Sequence, residues 1–234
     1  MMMKKILILI GLLISTTAMA GGRGDDPLLT KFMIDRLEYR ATEGPDPVVL
    51  EGQAWIGKDL DKLWVKVDAE RVSGKTEELE LQFLYSKAIA PYWDVQVGWR
   101  HDNLPSPNRD WLAFGFQGLA PYFFEIDAAG FIGEGGQTAL RLEAEYEILL
   151  TQKLILTPEV EVNFYGKDDI ATGVGAGLSD VELGLRLRYE IKREFAPYIG
   201  INWTSKYGKT ADIAKIAGED KSDAQFVVGV RAWF

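Results

Sequence analysis

The last ten residues of the chain read Gln225-Phe-Val-Val-Gly-Val-Arg-Ala-Trp-Phe234. Counted back from the end, every second residue is apolar: Phe234, Ala232, Val230, Val228 and Phe226. The positions between them include Arg231, Gly229 and Gln225. A side-chain period of two predicts a β-strand with one apolar face and one more polar face.

The aromatic end of this strand resembles the closing strand of bacterial outer-membrane barrels, which carries a signal read by the barrel assembly machinery. In such barrels the apolar strand face meets lipid and the polar face meets the lumen. We therefore expect a bacterial outer-membrane location, with membrane lipid and the assembly machinery as partners.

The same alternation recurs along most of the chain. Between 140 and 148, for example, apolar residues alternate with Arg141, Glu143, Glu145 and Glu147. Strands of this length, charged at every second position, suit a tilted membrane strand of ~9–11 residues. We predict an all-β fold, a transmembrane antiparallel up-and-down β-barrel of twelve strands, at 32–39, 48–56, 62–72, 77–87, 92–101, 109–117, 122–132, 138–148, 153–165, 179–191, 196–205 and 224–234.

The connections between these strands alternate in length. Short turns are predicted at 57–61, 89–91, 118–121, 150–152 and 192–195. Longer or more polar loops are predicted at 41–47, 73–76, 102–108, 133–137, 166–178 and 206–223. Short turns at one end and longer loops at the other are typical of an even-stranded outer-membrane barrel.

The amino-terminal residues have the pattern of an export signal. Lys4 and Lys5 precede an apolar run at 6–14, and Ala18-Met19-Ala20 offers a cleavage site. We predict a cleaved signal peptide at 1–20, a short extension at 21–31 and the barrel at 32–234.

Composition excludes several classes of function. The chain has a net charge of -9, which disfavours nucleic acid as a partner, and it has no cysteine for disulfides, thiolate metal sites or thiol catalysis. The one histidine, His101, precedes Asp102 and Asn103. The outer-membrane phospholipase family needs a serine where Asn103 stands, so we predict no catalytic residues, no enzyme activity and no organic cofactor.

Charged residues on the predicted inner face are densest in the eighth to tenth strands. The candidates are Arg141, Glu143, Glu145, Glu147, Glu159, Glu161, Glu182, Arg186, Arg188 and Glu190. Strand pairing is expected to place Glu159 near Arg186, Thr157 near Arg188, Arg141 near Glu161 and Glu143 near Glu159. One hypothesis is an ion-pair network that fills a narrow barrel. The other is a cation path, since glutamates outnumber arginines here. Neither predicts specific metal ligands.

Runs along nearly all of this barrel resemble the copper resistance protein B family of the bacterial outer membrane. The runs are Lys62-Leu-Trp-Val-Lys66, Leu84-Tyr-Ser-Lys-Ala-Ile-Ala-Pro-Tyr-Trp-Asp94, Ala113-Phe-Gly-Phe-Gln-Gly-Leu-Ala-Pro-Tyr122, Glu145-Tyr-Glu-Ile-Leu-Leu-Thr-Gln-Lys-Leu-Ile-Leu156, Gly184-Leu-Arg-Leu-Arg-Tyr-Glu-Ile-Lys-Arg-Glu-Phe-Ala-Pro-Tyr198, Thr210-Ala-Asp212 and Gly229-Val-Arg-Ala-Trp-Phe234. The resemblance implies copper as the ion concerned and periplasmic copper-handling proteins as partners.

This chain departs from the family in one respect. Family members often carry a segment rich in methionine and histidine before the barrel, whereas here Met33 and His101 alone remain after the predicted cleavage. Thioether and imidazole groups are the ligands that suit copper. The resemblance thus implies an outer-membrane protein of copper resistance and copper homeostasis, with copper binding or cation passage through an acidic lumen. The alternative is a general small-solute pore without specific metal binding.

Overall fold

The computed structural model describes residues 26–234, so the predicted signal peptide at 1–20 lies outside the described residues. Nearly all of the described chain forms one antiparallel sheet. Its strands are β1 (Leu29–Ala41), β2 (Pro47–Gly57), β3 (Asp61–Val72), β4 (Lys75–Ala90), β5 (Trp93–Leu104), β6 (Arg109–Ala120), β7 (Phe124–Gly133), β8 (Thr138–Glu145), β9 (Ile148–Leu149), β10 (Leu154–Tyr165), β11 (Gly177–Tyr189), β12 (Phe195–Lys206) and β13 (Ser222–Trp233).

The sheet closes into a barrel because its first strand pairs with its last. The Phe32 amide donates to the Phe234 carbonyl at 3.0 Å, and the Phe234 amide donates to the Phe32 carbonyl at 2.8 Å. Strands β8 and β9 both pair with β10 and occupy one position around the barrel. The predicted twelve-stranded barrel is therefore confirmed.

The gap between β8 and β9 lies opposite Pro158 of β10. The Tyr146 amide donates to the Pro158 carbonyl at 3.1 Å, but a proline has no N–H to return a bond. The pairing of Glu145 with Glu159 and of Ile148 with Leu156 follows a single register across the gap. The eighth predicted strand is thus one strand with a missing ladder bond.

The connections fall at two ends of the barrel. The turn end, which also holds Phe234, has its connections at 58–60, 91–92, 121–123, 150–153 and 190–194. The loop end has them at 42–46, 73–74, 105–108, 134–137, 166–176 and 207–221.

One prediction about the loop end is wrong, and a second is incomplete. The loop predicted at 73–76 is a two-residue turn, in which Ser73 and Gly74 have φ of 50° and 82°. Two successive positive φ values suit a tight hairpin between twisted strands. The loop predicted at 206–223 contains a helix, α1 (Gly208–Ala217), which contacts β11 and β12.

The barrel has apolar residues outside and polar residues inside. On the outer wall about half of the surface of Phe116 and Phe226 is exposed, whereas Glu38, Glu80 and Asn202 are almost fully buried in the lumen. One apolar cluster also lies inside and is formed by Trp64, Leu84, Trp111, Ala113 and Phe131. Among residues 26–234, no helix is long and apolar enough to span a membrane.

Strand β1 carries a bulge that changes which residues face the lumen. Its register with both neighbours shifts between Ile34 and Leu37. Met33 lines the lumen before the bulge, Asp35 and Arg36 line it at the bulge, and Arg40 lines it afterwards. A bulge adds one residue to a strand and redirects side chains. Here it turns two consecutive charged residues inward.

Candidate functional site

A cavity of about 1310 Å³ runs along the lumen. Acidic residues that line it outnumber basic residues by twenty to thirteen. Eight of the ten candidates named from the sequence line this cavity: Arg141, Glu143, Glu145, Glu159, Glu161, Glu182, Arg186 and Arg188. Glu147 and Glu190 line a second cavity of about 180 Å³ near the turn end, together with Arg188.

Glu38 of β1 is the most buried carboxylate of the lumen, with 1% of its surface exposed. It accepts hydrogen bonds from Arg40 Nε at 2.8 Å, Arg186 Nη2 at 2.9 Å and Tyr198 Oη at 2.9 Å. Bonds of this kind satisfy the charge of a buried carboxylate and hold its partners in one geometry. We call these four residues the Glu38 cluster.

Glycines on the neighbouring strands make room for the Glu38 cluster. A β-carbon at Gly229 would lie 2.6 Å from the Tyr198 hydroxyl and 2.8 Å from Glu38 Cβ. One at Gly184 would lie 2.1 Å from an Arg186 guanidinium nitrogen. At Gly184 and Gly229 the wall therefore consists of backbone alone, and the large side chains of the Glu38 cluster pack directly against it.

Arg36 joins the Glu38 cluster to further carboxylates. Its guanidinium contacts Glu51 at 2.8 Å, lies 3.8 Å from Glu182 and also contacts Glu159. Glu159 in turn pairs with Arg186 at 3.1 Å. One connected network thus includes residues of β1, β2, β10 and β11.

A second network surrounds Glu80 of β4, which is 2% exposed. Arg100 approaches it at 2.8 Å and Arg141 at 2.9 Å, while Gln82 donates to it at 2.6 Å. The Phe131 ring lies beside both guanidinium groups, 4.6 Å from Arg100 and 5.9 Å from Arg141. Its π face supplies partial negative charge where two cations converge. We call Glu80, Arg100 and Arg141 the Glu80 cluster.

Ion pairs also cross the lumen between strands that are not neighbours. Arg36 of β1 contacts Glu159 of β10, Arg141 of β8 contacts Glu80 of β4, and Lys66 of β3 contacts Asp127 of β7 at 2.7 Å. In each case three other strands separate the partners around the barrel. These pairs narrow the path along the lumen.

Carboxylates also face each other directly on adjacent strands. Asp127 is paired with Glu143, Glu143 with Glu161, and Glu161 with Glu182, so that four strands form one acidic row. Like charges placed opposite each other on a sheet destabilise it unless cations compensate. Lys66 compensates Asp127, and Arg40 approaches Glu182 at 3.1 Å. Glu143 has no such ion pair among residues 26–234.

The turn end of the lumen holds a smaller charged group. Glu147 accepts a hydrogen bond from Arg188 at 2.7 Å and another from Arg231 at 3.3 Å. Arg231 also lies 3.6 Å from Glu145, and Arg188 lies 3.8 Å from Glu190. Carboxylates and guanidinium groups are close to balance here, unlike in the acidic row.

The strand register on both sides of β10 differs by two residues from the one that the expected pairs imply, although two of those pairs are in contact. Glu159 lies opposite Gly184 rather than Arg186, and Asn163 lies opposite Arg141. Long side chains still reach diagonally, because Arg186 approaches Glu159 at 3.1 Å and Arg141 lies 3.6 Å from Glu161. Diagonal neighbours on a sheet are within reach of an arginine.

Sequence reasoning missed the half of the site on β1 to β7. Alternation in β4 could have identified Glu80 and Gln82, since 78, 80 and 82 follow one face. Arg36 gave no such signal, because the bulge breaks the period of two at that point. Lumen residues that were not identified from the sequence, such as Arg36 and Glu80, thus form ion pairs with many of the candidates that were identified.

The loop end is closed in part by α1 and the 166–176 loop. Thr210 accepts a hydrogen bond from the Gly175 amide at 2.9 Å and donates to Ser179 at 3.0 Å. Asp169 accepts hydrogen bonds from Arg109 at 2.8 Å and from Gln137 at 3.1 Å. Burial raises the pKa of Asp169, but these hydrogen bonds outweigh burial and hold the pKa below its usual value.

Soft metal ligands are separated from the acidic row. His101 lies at the outer rim, where its Nδ1 is 2.8 Å from Asp110 and its ring is 5.4 Å from Trp99. Met33 lines the cavity on β1. Within 26–234, histidine, aspartate and glutamate side chains form no group of three or more placed to hold a metal ion. The donors of the acidic row are carboxylates, which suit copper less well than imidazole or thioether groups.

Comparison with known proteins identifies the family. A family model described as "Copper resistance protein B precursor (CopB)" matches residues 28–234. Copper resistance protein B of Escherichia coli is 50% identical over 202 residues, which cover 86% of this chain and 68% of that protein. A copper resistance protein B homolog of Pseudomonas syringae pv. tomato is 47% identical over 210 residues, which cover 90% of this chain and 71% of that protein.

Solved structures support the fold. A NanC porin structure has a TM-score of 0.57 at 12% identity and covers 87% of this chain and 99% of its own. Outer membrane phospholipase A from Escherichia coli has a TM-score of 0.51 at 15% identity and covers 87% of this chain and 92% of its own. The barrel fold agrees with the predicted outer-membrane location, and the word "precursor" agrees with the predicted signal peptide. With its match to nearly the whole barrel, the chain belongs to the copper resistance protein B family.

Proposed function

We propose that this chain acts in copper resistance as an outer-membrane barrel whose acidic lumen holds or passes copper cations. The observation that carries this proposal is the acidic row of Asp127, Glu143, Glu161 and Glu182, which faces the cavity across four successive strands. Negatively charged carboxylates that line a pore favour the entry of cations. The identity of the cation rests on the family.

The chemistry of the row favours passage or weak retention over tight binding. Carboxylates bind copper less selectively than softer ligands do. The two partly compensated ends of the row, Asp127 and Glu182, already have cationic partners. An entering cation would compete with these side chains, whereas Glu143 offers a carboxylate without an ion pair among residues 26–234.

The partners follow from the two faces of the barrel. The outer wall meets membrane lipid, as the barrel fold requires. We further propose that the barrel assembly machinery reads the closing strand at 225–234, and that periplasmic copper-handling proteins exchange copper with the lumen at the turn end. We propose no catalytic step, because His101 lies at the outer rim beside Asp110 with Asn103 two residues on.

The alternative function is a general small-solute pore without specific metal binding. It is favoured by the extent of the main cavity, which reaches from Asp220 and Pro105 at the loop end to Lys31 and Arg231 at the turn end. The ion pairs across the lumen oppose free diffusion of larger solutes, since they narrow that path.

Copper tolerance of complemented deletion strains tests the proposal. We expect deletion of the gene to lower the copper concentration at which cells grow. We expect the double substitution Glu143→Gln and Glu161→Gln to restore tolerance less than the wild-type chain does, since it removes two carboxyl groups from the middle of the acidic row. Equal amounts of folded protein in the outer membrane must be verified by immunoblot.

Glu134→Gln is the matched control, because Glu134 lies in an exposed loop-end connection away from the lumen. It should restore full tolerance. Normal tolerance of the deletion strain would contradict a role in copper resistance. Full rescue by the double variant would contradict the role of the acidic row and favour a general pore. Binding of Cu(I), Cu(II) and Zn(II) to the purified barrel provides a direct second readout.

A further inference from the structure

The turn end of the barrel is divided into an uncharged half and a charged half. Three turns that are consecutive around the barrel join β4 to β5, β6 to β7 and β9 to β10. They contain no charged residue from 88 to 93, from 118 to 124 or from 148 to 152, and the exposed Lys153 at the end of the third turn is the boundary of this surface. The other two turns contain Lys58 and Asp59, and Glu190, Lys192, Arg193 and Glu194.

The uncharged half presents large apolar and aromatic side chains away from the protein. Tyr122 is 82% exposed, Tyr92 76% and Phe123 74%. Leu149 and Leu150 in the adjacent turn are 66% and 52% exposed. Exposed apolar residues that gather in one place mark a surface that another phase or partner covers.

The backbone is strained where these aromatic side chains are displayed. Tyr92, Tyr122 and Phe123 have φ of 68°, 66° and 66°. A bulky residue at positive φ is unfavourable, and glycine would adopt the same turn without this strain. The strain indicates that the aromatic side chains contribute something that glycine could not.

The uncharged half is continuous with the wall that faces lipid. Phe124 follows Phe123 directly, lies on the outer wall and stacks on Tyr146 with ring centroids 4.7 Å apart. Further along the same wall Phe116 is 50% exposed. Tyrosine has an apolar ring and a polar hydroxyl, and it accumulates where hydrocarbon meets lipid headgroups.

We propose that the uncharged half of the turn end lies in the headgroup region of the inner leaflet, while the charged half remains in water. The occupant of this surface is lipid, because the surface continues the lipid-facing wall without a break and the lysine at its boundary, Lys153, can extend into the headgroup region. The barrel axis is then tilted from the membrane normal. The turn ends of β4 to β10 lie deeper in the inner leaflet than the turn ends of β11 to β3.

Site-directed spin labelling tests this arrangement. The chain has no cysteine, so each introduced cysteine gives a single label. The variants Tyr92→Cys and Tyr122→Cys report on the uncharged half, and Asp59→Cys and Lys192→Cys are matched controls in the charged turns. Each protein is purified from outer membranes and reconstituted in vesicles of phosphatidylethanolamine and phosphatidylglycerol. Relaxation by oxygen, which is enriched in lipid, is compared with relaxation by an aqueous nickel chelate.

We expect labels at 92 and 122 to be relaxed mainly by oxygen, and labels at 59 and 192 mainly by the nickel chelate. The two labels in each half are independent, so a local disturbance at one site does not decide the result. Nickel accessibility at 92 and 122 equal to that at 59 and 192 would overturn the proposal.

Discussion

At the scale of single residues, Glu38 shows how the lumen tolerates charge. Its carboxylate is enclosed by Arg40, Arg186 and Tyr198, each within 3.1 Å. Removing one partner of a buried ion pair costs about 3–5 kcal/mol, because the remaining charges are left without compensation. The Glu38 cluster is therefore sensitive to the loss of one charge.

We expect Glu38→Gln to lower the free energy of unfolding by about 3–5 kcal/mol, since the Arg186 guanidinium loses its closest carboxylate. The temperature at which the folded band disappears in semi-native gel electrophoresis measures the effect. Glu43→Gln, in an exposed loop-end connection, should leave that temperature unchanged. Equal values for the two variants would show that the Glu38 cluster does not stabilise the barrel.

The sequence located individual lumen residues only where the strand period is regular. Glu143 and Glu161 could be assigned to the inner face because alternation continues without interruption around them. Arg36 could not, because one extra residue in β1 exchanges the two faces. Pairing across strands also depends on turn geometry, which shifted the expected partners of Glu159 by two residues.

At the scale of elements, the interruption between β8 and β9 follows from a single proline. Pro158 receives a bond from Tyr146 and has no N–H to return one, so the Tyr146 carbonyl loses a ladder partner. The strand continues in the same register beyond this point. The gap is a local weakness in an otherwise continuous strand.

We expect Pro158→Ala to supply the missing bond and to stabilise the barrel by about 1 kcal/mol, the usual net value of one hydrogen bond. Amide hydrogen exchange around 146–148 should become slower, whereas exchange in β2, on the other side of the barrel, serves as the internal control. Unchanged exchange at 146–148 would show that the proline is not the cause of the gap.

Helix α1 could have been predicted from the sequence. Ile213, Ala214 and Ala217 recur at helical spacing, and Gly218 follows at the position where a left-handed residue ends a helix. The tight turn at Ser73-Gly74 was also readable from its glycine. These signals are local, whereas the expectation of longer loops at one end of a barrel is general and does not specify the structure inside each connection.

At the scale of the whole molecule, Asp169 connects three separate segments at the loop end of the barrel. Arg109 belongs to β6, Gln137 precedes β8, and Asp169 lies in the 166–176 loop. These bonds require the ionised carboxylate, because Asp169 accepts from both donors. The position of the 166–176 loop, which partly closes the loop end, is therefore linked to pH.

The pKa of Asp169 is below its usual value of 3.8 in the folded protein. Its stabilising effect is thus complete above pH 3.8 and is lost as the pH falls through the lower, folded-state pKa. A nitroxide on Ala171→Cys should become more mobile as the pH is lowered from about 5 to 2. The added substitution Asp169→Asn should make the label mobile at neutral pH already; a label that stays immobile there would refute this role.

The twelve-stranded architecture was the most predictable level. Alternation, strand length and turn spacing each depend on local sequence, and together they determine a closed barrel in lipid. The ion pairs that cross the lumen were not predictable, because Arg141 and Glu80 meet only after the barrel has closed with a particular curvature and tilt.

Because β1 pairs with β13, the barrel can close only after the last strand has been synthesised. Residues from the two extremes of the barrel sequence form one ladder, so this contact has the longest separation in the fold. A polypeptide interrupted before β13 would retain two open edges, whose N–H and C=O groups find no partner in hydrocarbon. Fragments released by premature termination would therefore stay outside the bilayer as substrates for proteolysis. Closure by β13 thus distinguishes finished molecules from unfinished ones.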